Sequence, residues 1–167
     1  MSLKKQISMT VNGVLVNAEI EPRRHLVDFL REDLYLKGPH LGCEQGACGA
    51  CTVKVNGQII RGCLFLAVQA NGAVVETIEG LTKSGALADL QESFMRRNAM
   101  QCGFCSSGML LAAAELIEKQ PKATREQVRE WISGNYCRCT GYHSIVDAIV
   151  DVLEARAKGQ KIKPVIA

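Results

Sequence analysis

The placement of its cysteines constrains this chain more than any other feature. Cys43, Cys48, Cys51 and Cys63 fall in the first half and Cys102, Cys105, Cys137 and Cys139 in the second, with none in the 38 residues between. Eight in 167 residues is about 5%, below the roughly 8–10% of a disulfide scaffold. Lys4 and Lys5 precede a mixed run, Gln6 to Asn17, with neither the apolar core nor the small-residue cleavage site of a signal peptide. The longest apolar runs, Cys63 to Val68 and Met109 to Ala114, fall far short of the ~20 residues of a membrane span. A cytoplasmic location with reduced thiols is therefore expected. Four cysteines and four more imply two sites.

The halves differ in hydrophobic period. Ile7, Met9 and Val11, then Val14, Val16, Ala18 and Ile20, alternate around Asn12-Gly13, the pattern of a β-hairpin with a type I′ turn. After Pro22, Leu26, Val27, Leu30 and Leu34 recur at helical spacing. Beyond a glycine-rich loop, Thr52 to Val55 and Gln58 to Ile60 flank Asn56-Gly57 as a second hairpin, and Val74 to Ile78 reads as a further strand. Past Gly80 the strand signals stop. Leu87, Leu90 and Phe94, with Met95 beside them, mark one helix; Met109, Leu110, Ala113, Leu116 and Ile117 mark a second, closed by Pro121. Thr124 and Gln127 form a capping box for a third, with a buried stripe of Val128, Trp131 and Ile132. Ser144 to Lys158 is the fourth, and short connections imply an antiparallel bundle. The fold class is α+β, with domains expected over 1–80 and 81–159 and a tail over 160–167.

Composition narrows the function classes. The hydrophobic fraction of 47% and charged fraction of 22% are globular values that exclude disorder. Basic and acidic residues number 8 and 8 up to Gly80 and 12 and 9 beyond it, without the basic stripe that nucleic acid requires. No carboxylate pair, nucleophile with base or phosphate loop is present, so no active site is expected in this chain. His25, His40 and His143 are scattered and read as surface or packing residues rather than Rieske ligands.

The first site reads Cys43-Glu44-Gln45-Gly46-Ala47-Cys48-Gly49-Ala50-Cys51, with Cys63 twelve positions on. Cys-x4-Cys-x2-Cys with a distant fourth cysteine is plant-type [2Fe-2S] spacing. Three thiolates must converge from one tight loop, which Gly42, Gly46 and Gly49 permit. Zinc sites usually pair two Cys-x2-Cys knuckles, so three against one favours iron. The second site, Cys102-Gly103-Phe104-Cys105 with Cys137-Arg138-Cys139, is compatible with a second cluster, a zinc ion or a dithiol pair. Each half precedes an expected helix, so two positive helix ends would face bound thiolates.

These motifs, with Gln101 before Cys102 and Thr140-Gly141-Tyr142 after Cys139, resemble the small iron-sulfur subunit of the molybdenum hydroxylases, the xanthine dehydrogenase, aldehyde oxidase and carbon monoxide dehydrogenase family. The resemblance runs from about Ile7 to Leu153. It implies a β-grasp plant-type ferredoxin domain followed by a four-helix bundle, each holding one [2Fe-2S] cluster, on Cys43, Cys48, Cys51 and Cys63 and on Cys102, Cys105, Cys137 and Cys139. It also implies electron transfer from molybdopterin on a large subunit through both clusters to FAD on a medium subunit, in a dimer of heterotrimers. Gln101 and Cys139 match positions that lie against the pterin. Two residues depart from the pattern. Ser107 replaces a proline, so a capping residue stands at the helix start, and His143 stands where a glutamine or similar polar residue is more usual. A stand-alone ferredoxin and a zinc-stapled interaction module are the competing functions.

Overall fold

The computed structural model describes residues 3–160 and 162. Five strands, β1 (Lys5–Val11), β2 (Val14–Ile20), β3 (Thr52–Val55), β4 (Gln58–Arg61) and β5 (Val74–Glu76), form one sheet in the order β2-β1-β5-β3-β4. The central pair, β1 and β5, is parallel and the other pairings are antiparallel. The first hairpin turns where expected: Asn12 has φ 50° and Gly13 φ 82°, and a type I′ turn needs positive φ at both positions. Ile7, Met9 and Val11 face inward against α1 (Leu26–Asp28) and the wide helical turn Phe29–Asp33 that continues it. Leu26, Phe29 and Leu30 are fully buried there. β2 is an edge strand, so of its expected apolar face Val14 stays exposed and Ile20 alone is buried.

The strand expected over Val74 to Ile78 is shorter. Thr77 is buried and clamped by Asn12, whose Oδ1 accepts from the Thr77 amide at 2.8 Å and whose Nδ2 donates to its hydroxyl at 2.9 Å. The chain thereby leaves the sheet at Thr77, and Ile78 opens α2 (Ile78–Lys83). Four further helices follow: α3 (Ala88–Arg96), α4 (Ser106–Lys119), α5 (Arg125–Trp131) and α6 (His143–Ala157). Their core holds Phe94, Met109, Leu116, Ile132, Ile145 and Ile149, while Met95 stays exposed. The capping box forms, Thr124 Oγ1 accepting from the Gln127 amide at 3.3 Å and Gln127 Oε1 from the Thr124 amide at 2.8 Å. Trp131 Nε1 donates to the Ala112 carbonyl at 3.0 Å, tying α5 to α4. Ser93 Oγ donates to the Ala148 carbonyl at 2.8 Å inside the core, and two-pronged pairs Arg97–Asp151 and Arg156–Asp89 lock α3 to α6 at the surface. The result is an α+β chain, a β-grasp ferredoxin-like sheet followed by a helical bundle whose α4 packs on β3 and β4. Of the expected tail, only Gln160 and Ile162 are among the described residues, and Ile162 packs against the helical core.

Candidate iron-sulfur sites

The first cysteine set lies on the loop that enters β3. Glu44, Gly46 and Gly49 take left-handed backbone conformations, φ 56°, 80° and 75°, which curl the loop back on itself. A Cβ at Gly46 would sit 2.4 Å from Leu64 Cδ1, so glycine lets Leu64 cover the loop beside Cys63. The Cys48 amide donates to Cys43 Sγ at 3.3 Å. Backbone amides of Gln45 and Cys48 aimed at that sulfur hold the Cys43 thiol down to about 6, because hydrogen bonds to a charged form favour it. Cys51 and Cys63 are each 1% exposed and pack with Val27. Burial pushes the Cys51 thiol up to about 11.

The second set joins two loops. Cys102 Sγ and Cys139 Sγ lie 3.6 Å apart and both residues are exposed. Cys105 faces Cys137, and burial pushes the Cys105 thiol up to about 12. Burial acts against ionisation at Cys137 too, but the Thr140 hydroxyl, 3.1 Å from Cys137 Sγ, and the amides of Cys139 and Thr140 outweigh it and hold that thiol below its usual value. The Tyr142 hydroxyl accepts from the Cys137 amide at 2.9 Å, which fixes the turn. Cys105 is the N-cap of α4 and His143 opens α6, so both helix N-termini adjoin the site as the spacing predicts. The capping expected of Ser107 does not occur. Among the described residues no side chain caps α4, and Ser107, buried at its first turn, finds no hydrogen-bond partner for its hydroxyl. His143 is exposed and lines a shallow cavity with Arg125 and Arg129.

The eight thiols stand as four facing pairs: Cys43 with Cys48, Cys51 with Cys63, Cys102 with Cys139, and Cys105 with Cys137. A cluster of two irons takes two thiolates on each iron, whereas a lone tetrahedral ion gathers four around one point. Two pairs per site and an all-sulfur donor set fit [2Fe-2S] at both.

The two sites are fastened together. The Tyr136 amide donates to the Cys48 carbonyl at 2.8 Å, and Asn135 Nδ2 donates to the Gly49 carbonyl at 3.2 Å. Arg61 donates to the Thr52 hydroxyl, to the Gly134 carbonyl at 2.8 Å and to Asn135 Oδ1 at 3.4 Å. His40 from the first half stacks on Phe104 from the second, with ring centroids 4.6 Å apart. Asn135, Tyr136 and Arg61 carry no signal of this role in the sequence beyond the place of the first two next to Cys137. Gln101 is exposed, and Cys139 meets Cys102, the next residue after it.

Residues 9–73 match the family model of the 2Fe-2S iron-sulfur cluster binding domain, and residues 77–150 match that of the [2Fe-2S] binding domain. The chain is 49% identical to the 6-hydroxypseudooxynicotine dehydrogenase complex subunit beta of Paenarthrobacter nicotinovorans, over 90% of this chain and 95% of that one. It is 42% identical to the nicotinate dehydrogenase small FeS subunit of Eubacterium barkeri, over 87% and 93% of the two chains. The chain belongs to the small iron-sulfur subunits of the molybdenum hydroxylases. Its fold agrees with that membership: a chain of quinoline 2-oxidoreductase from Pseudomonas putida 86 superposes with a TM-score of 0.86 at 50% identity, covering 94% of this chain and 98% of that one. As a member of this family the chain is an electron-transfer component of an oxidoreductase. Among its described residues no helix is long and apolar enough to cross a membrane.

Proposed function

We propose that this subunit carries electrons inside a cytoplasmic molybdenum hydroxylase, from molybdopterin on a large subunit, where a small organic molecule is oxidised, to FAD on a medium subunit. The assembly is a dimer of heterotrimers. One observation carries the reading: two all-thiolate sites of two cysteine pairs each are joined back to back by the bond from Tyr136 to Cys48.

Cys43, Cys48, Cys51 and Cys63 hold the first centre; Cys102, Cys105, Cys137 and Cys139 hold the second. Bound there, [2Fe-2S] clusters supply one-electron redox chemistry whose potential follows hydrogen bonding and exposure. The residues around each site set those terms. At the first, Cys51 and Cys63 are kept from water while the Cys48 amide faces Cys43 Sγ. At the second, Thr140 donates to Cys137 Sγ, and Cys139 lies exposed against Cys102, the residue that follows Gln101. That exposed corner is the side offered to the pterin, with Gln101 as its hydrogen-bonding residue. The first centre belongs to a ferredoxin-like unit over 1–80 and the second to a helical unit over 81–159, with a tail over 160–167.

Anaerobic reduction of the purified complex, followed by low-temperature EPR with metal quantitation, tests the reading. Two distinct S = 1/2 signals with about four irons per chain are expected, with molybdenum and flavin in the complex. One signal with one zinc per chain, or no signal with two, overturns it.

A further inference from the structure

Asn135 is 2% exposed, yet it sits on a loop. A buried polar side chain on a connecting segment is held there by the bonds it makes. Its Nδ2 grips the Gly49 carbonyl from the first loop, and its Oδ1 receives Arg61 from β4. The backbone around it leaves no slack. A Cβ on Gly49 would lie 2.6 Å from Asn135 Nδ2, and one on Gly108 would lie 2.1 Å from the Gly49 carbonyl. Asn135 is therefore wedged between the first-site loop and the start of α4, one residue before the bond from the Tyr136 amide to the Cys48 carbonyl. That bond connects Cys48 of one site to the residue preceding Cys137 of the other.

We propose that Asn135 is a positioning residue for electron transfer between the two centres. By pinning the Gly49 carbonyl it fixes the Cys48–Tyr136 bridge, and with it the separation and electronic coupling of the two thiol sets. The inference rests on the reading of both sites as [2Fe-2S] centres. In the transfer one electron passes, one centre being oxidised and the other reduced, with no bond made or broken and no proton moved. The side-chain hydrogen bonds of Asn135 run to the Gly49 carbonyl and from Arg61, so it acts through the backbone that carries the sulfurs. Arg61 supports it from the far side, since it holds both Asn135 Oδ1 and the Gly134 carbonyl.

The test uses the intact complex with Asn135→Ala and Asn135→Asp. The aspartate keeps the volume and the acceptor for Arg61 but lacks the donor that holds Gly49. Three readings are taken: iron content and the g values of each reduced centre, the spin–spin splitting between the two centres, and the rate of electron equilibration between them after flash reduction. Wild type with two [2Fe-2S] signals establishes the centres; without them the reading of the sites fails before the variants are made. The expected result is unchanged iron and g values, a smaller splitting, and equilibration slowed severalfold. Splitting and rate within about twofold of wild type in fully loaded variants overturn the proposal. Should Asn135→Ala alone lose iron, Asn135→Asp decides by the same criteria. Loss of iron from both assigns Asn135 to cluster binding rather than positioning and also overturns it.

Discussion

The Tyr136 amide donates to the Cys48 carbonyl at 2.8 Å, so a single backbone hydrogen bond joins the neighbour of Cys137 in one site to a cysteine of the other. The residues lie 88 positions apart in sequence. Gly108 and Asn135 crowd the Gly49 carbonyl next to that bond.

Gly108→Ala should disturb the contact between the halves. The added methyl would meet the Gly49 carbonyl at 2.1 Å, and the acceptor is backbone that cannot swing aside. Overpacking of this kind costs about 1–3 kcal/mol. Thermal unfolding of the iron-loaded chain should show a Tm several degrees lower, and an unchanged Tm would show that the halves part more easily than the packing implies.

Thr140→Val keeps the shape of the side chain and removes the hydroxyl 3.1 Å from Cys137 Sγ. A donor lost from a ligand sulfur favours the oxidised, less negative cluster. The second centre should become harder to reduce by a few tens of mV, where about 59 mV is tenfold for one electron. The first centre serves as the internal control in the same EPR titration.

His40 gives the chain a pH dependence of known sign. Burial first, and the nearby Arg31 second, lower its pKa from 6.5, so the ring stacked on Phe104 is neutral at pH 7. As the pH falls through 6.5 the unfolded chain binds the proton before the folded one does, and stability drops with it. Above that point the contribution is constant. His40→Phe should flatten the stability profile between pH 7 and 5, measured by denaturant unfolding; an unaltered slope would place the dependence elsewhere.

In the iron-free chain the thiols should differ in reactivity. Cys43, held down to about 6 by backbone amides, is largely thiolate at pH 7, while burial keeps Cys51 and Cys105 near 11 and 12. Since the thiolate is the nucleophile, iodoacetamide under mild conditions should modify Cys43 well before Cys51 or Cys105, as peptide mapping would show. Equal labelling would mean that the loop opens without metal.

Gln101→Ala tests the exposed corner beside Cys139. On the proposal that Gln101 is the residue that meets the pterin, substrate-driven reduction of the second centre should slow, while dithionite reduction and both EPR signals stay as they are. Unchanged turnover and unchanged reduction would remove Gln101 from the electron route.

Much of this protein is written locally. Period-two alternation around Asn12-Gly13 and Asn56-Gly57 produced both hairpins, and Thr124 with Gln127 produced the start of α5, because turns and caps depend on residues within a few positions of each other. The cysteine spacing, read the same way, marked both sites and the helices that follow the second. What the sequence left open is where the chain acts at long range. Asn12 pulls Thr77 out of the sheet and shortens β5 from 65 residues away. The pairing of Cys102 with Cys139 and Cys105 with Cys137 appears only once the loops ahead of α4 and α6 meet. Asn135 reads in sequence as an ordinary loop residue. Its burial against Gly49 arises from packing between two halves, which no local pattern encodes, and it is that packing which determines how closely the two sites are held.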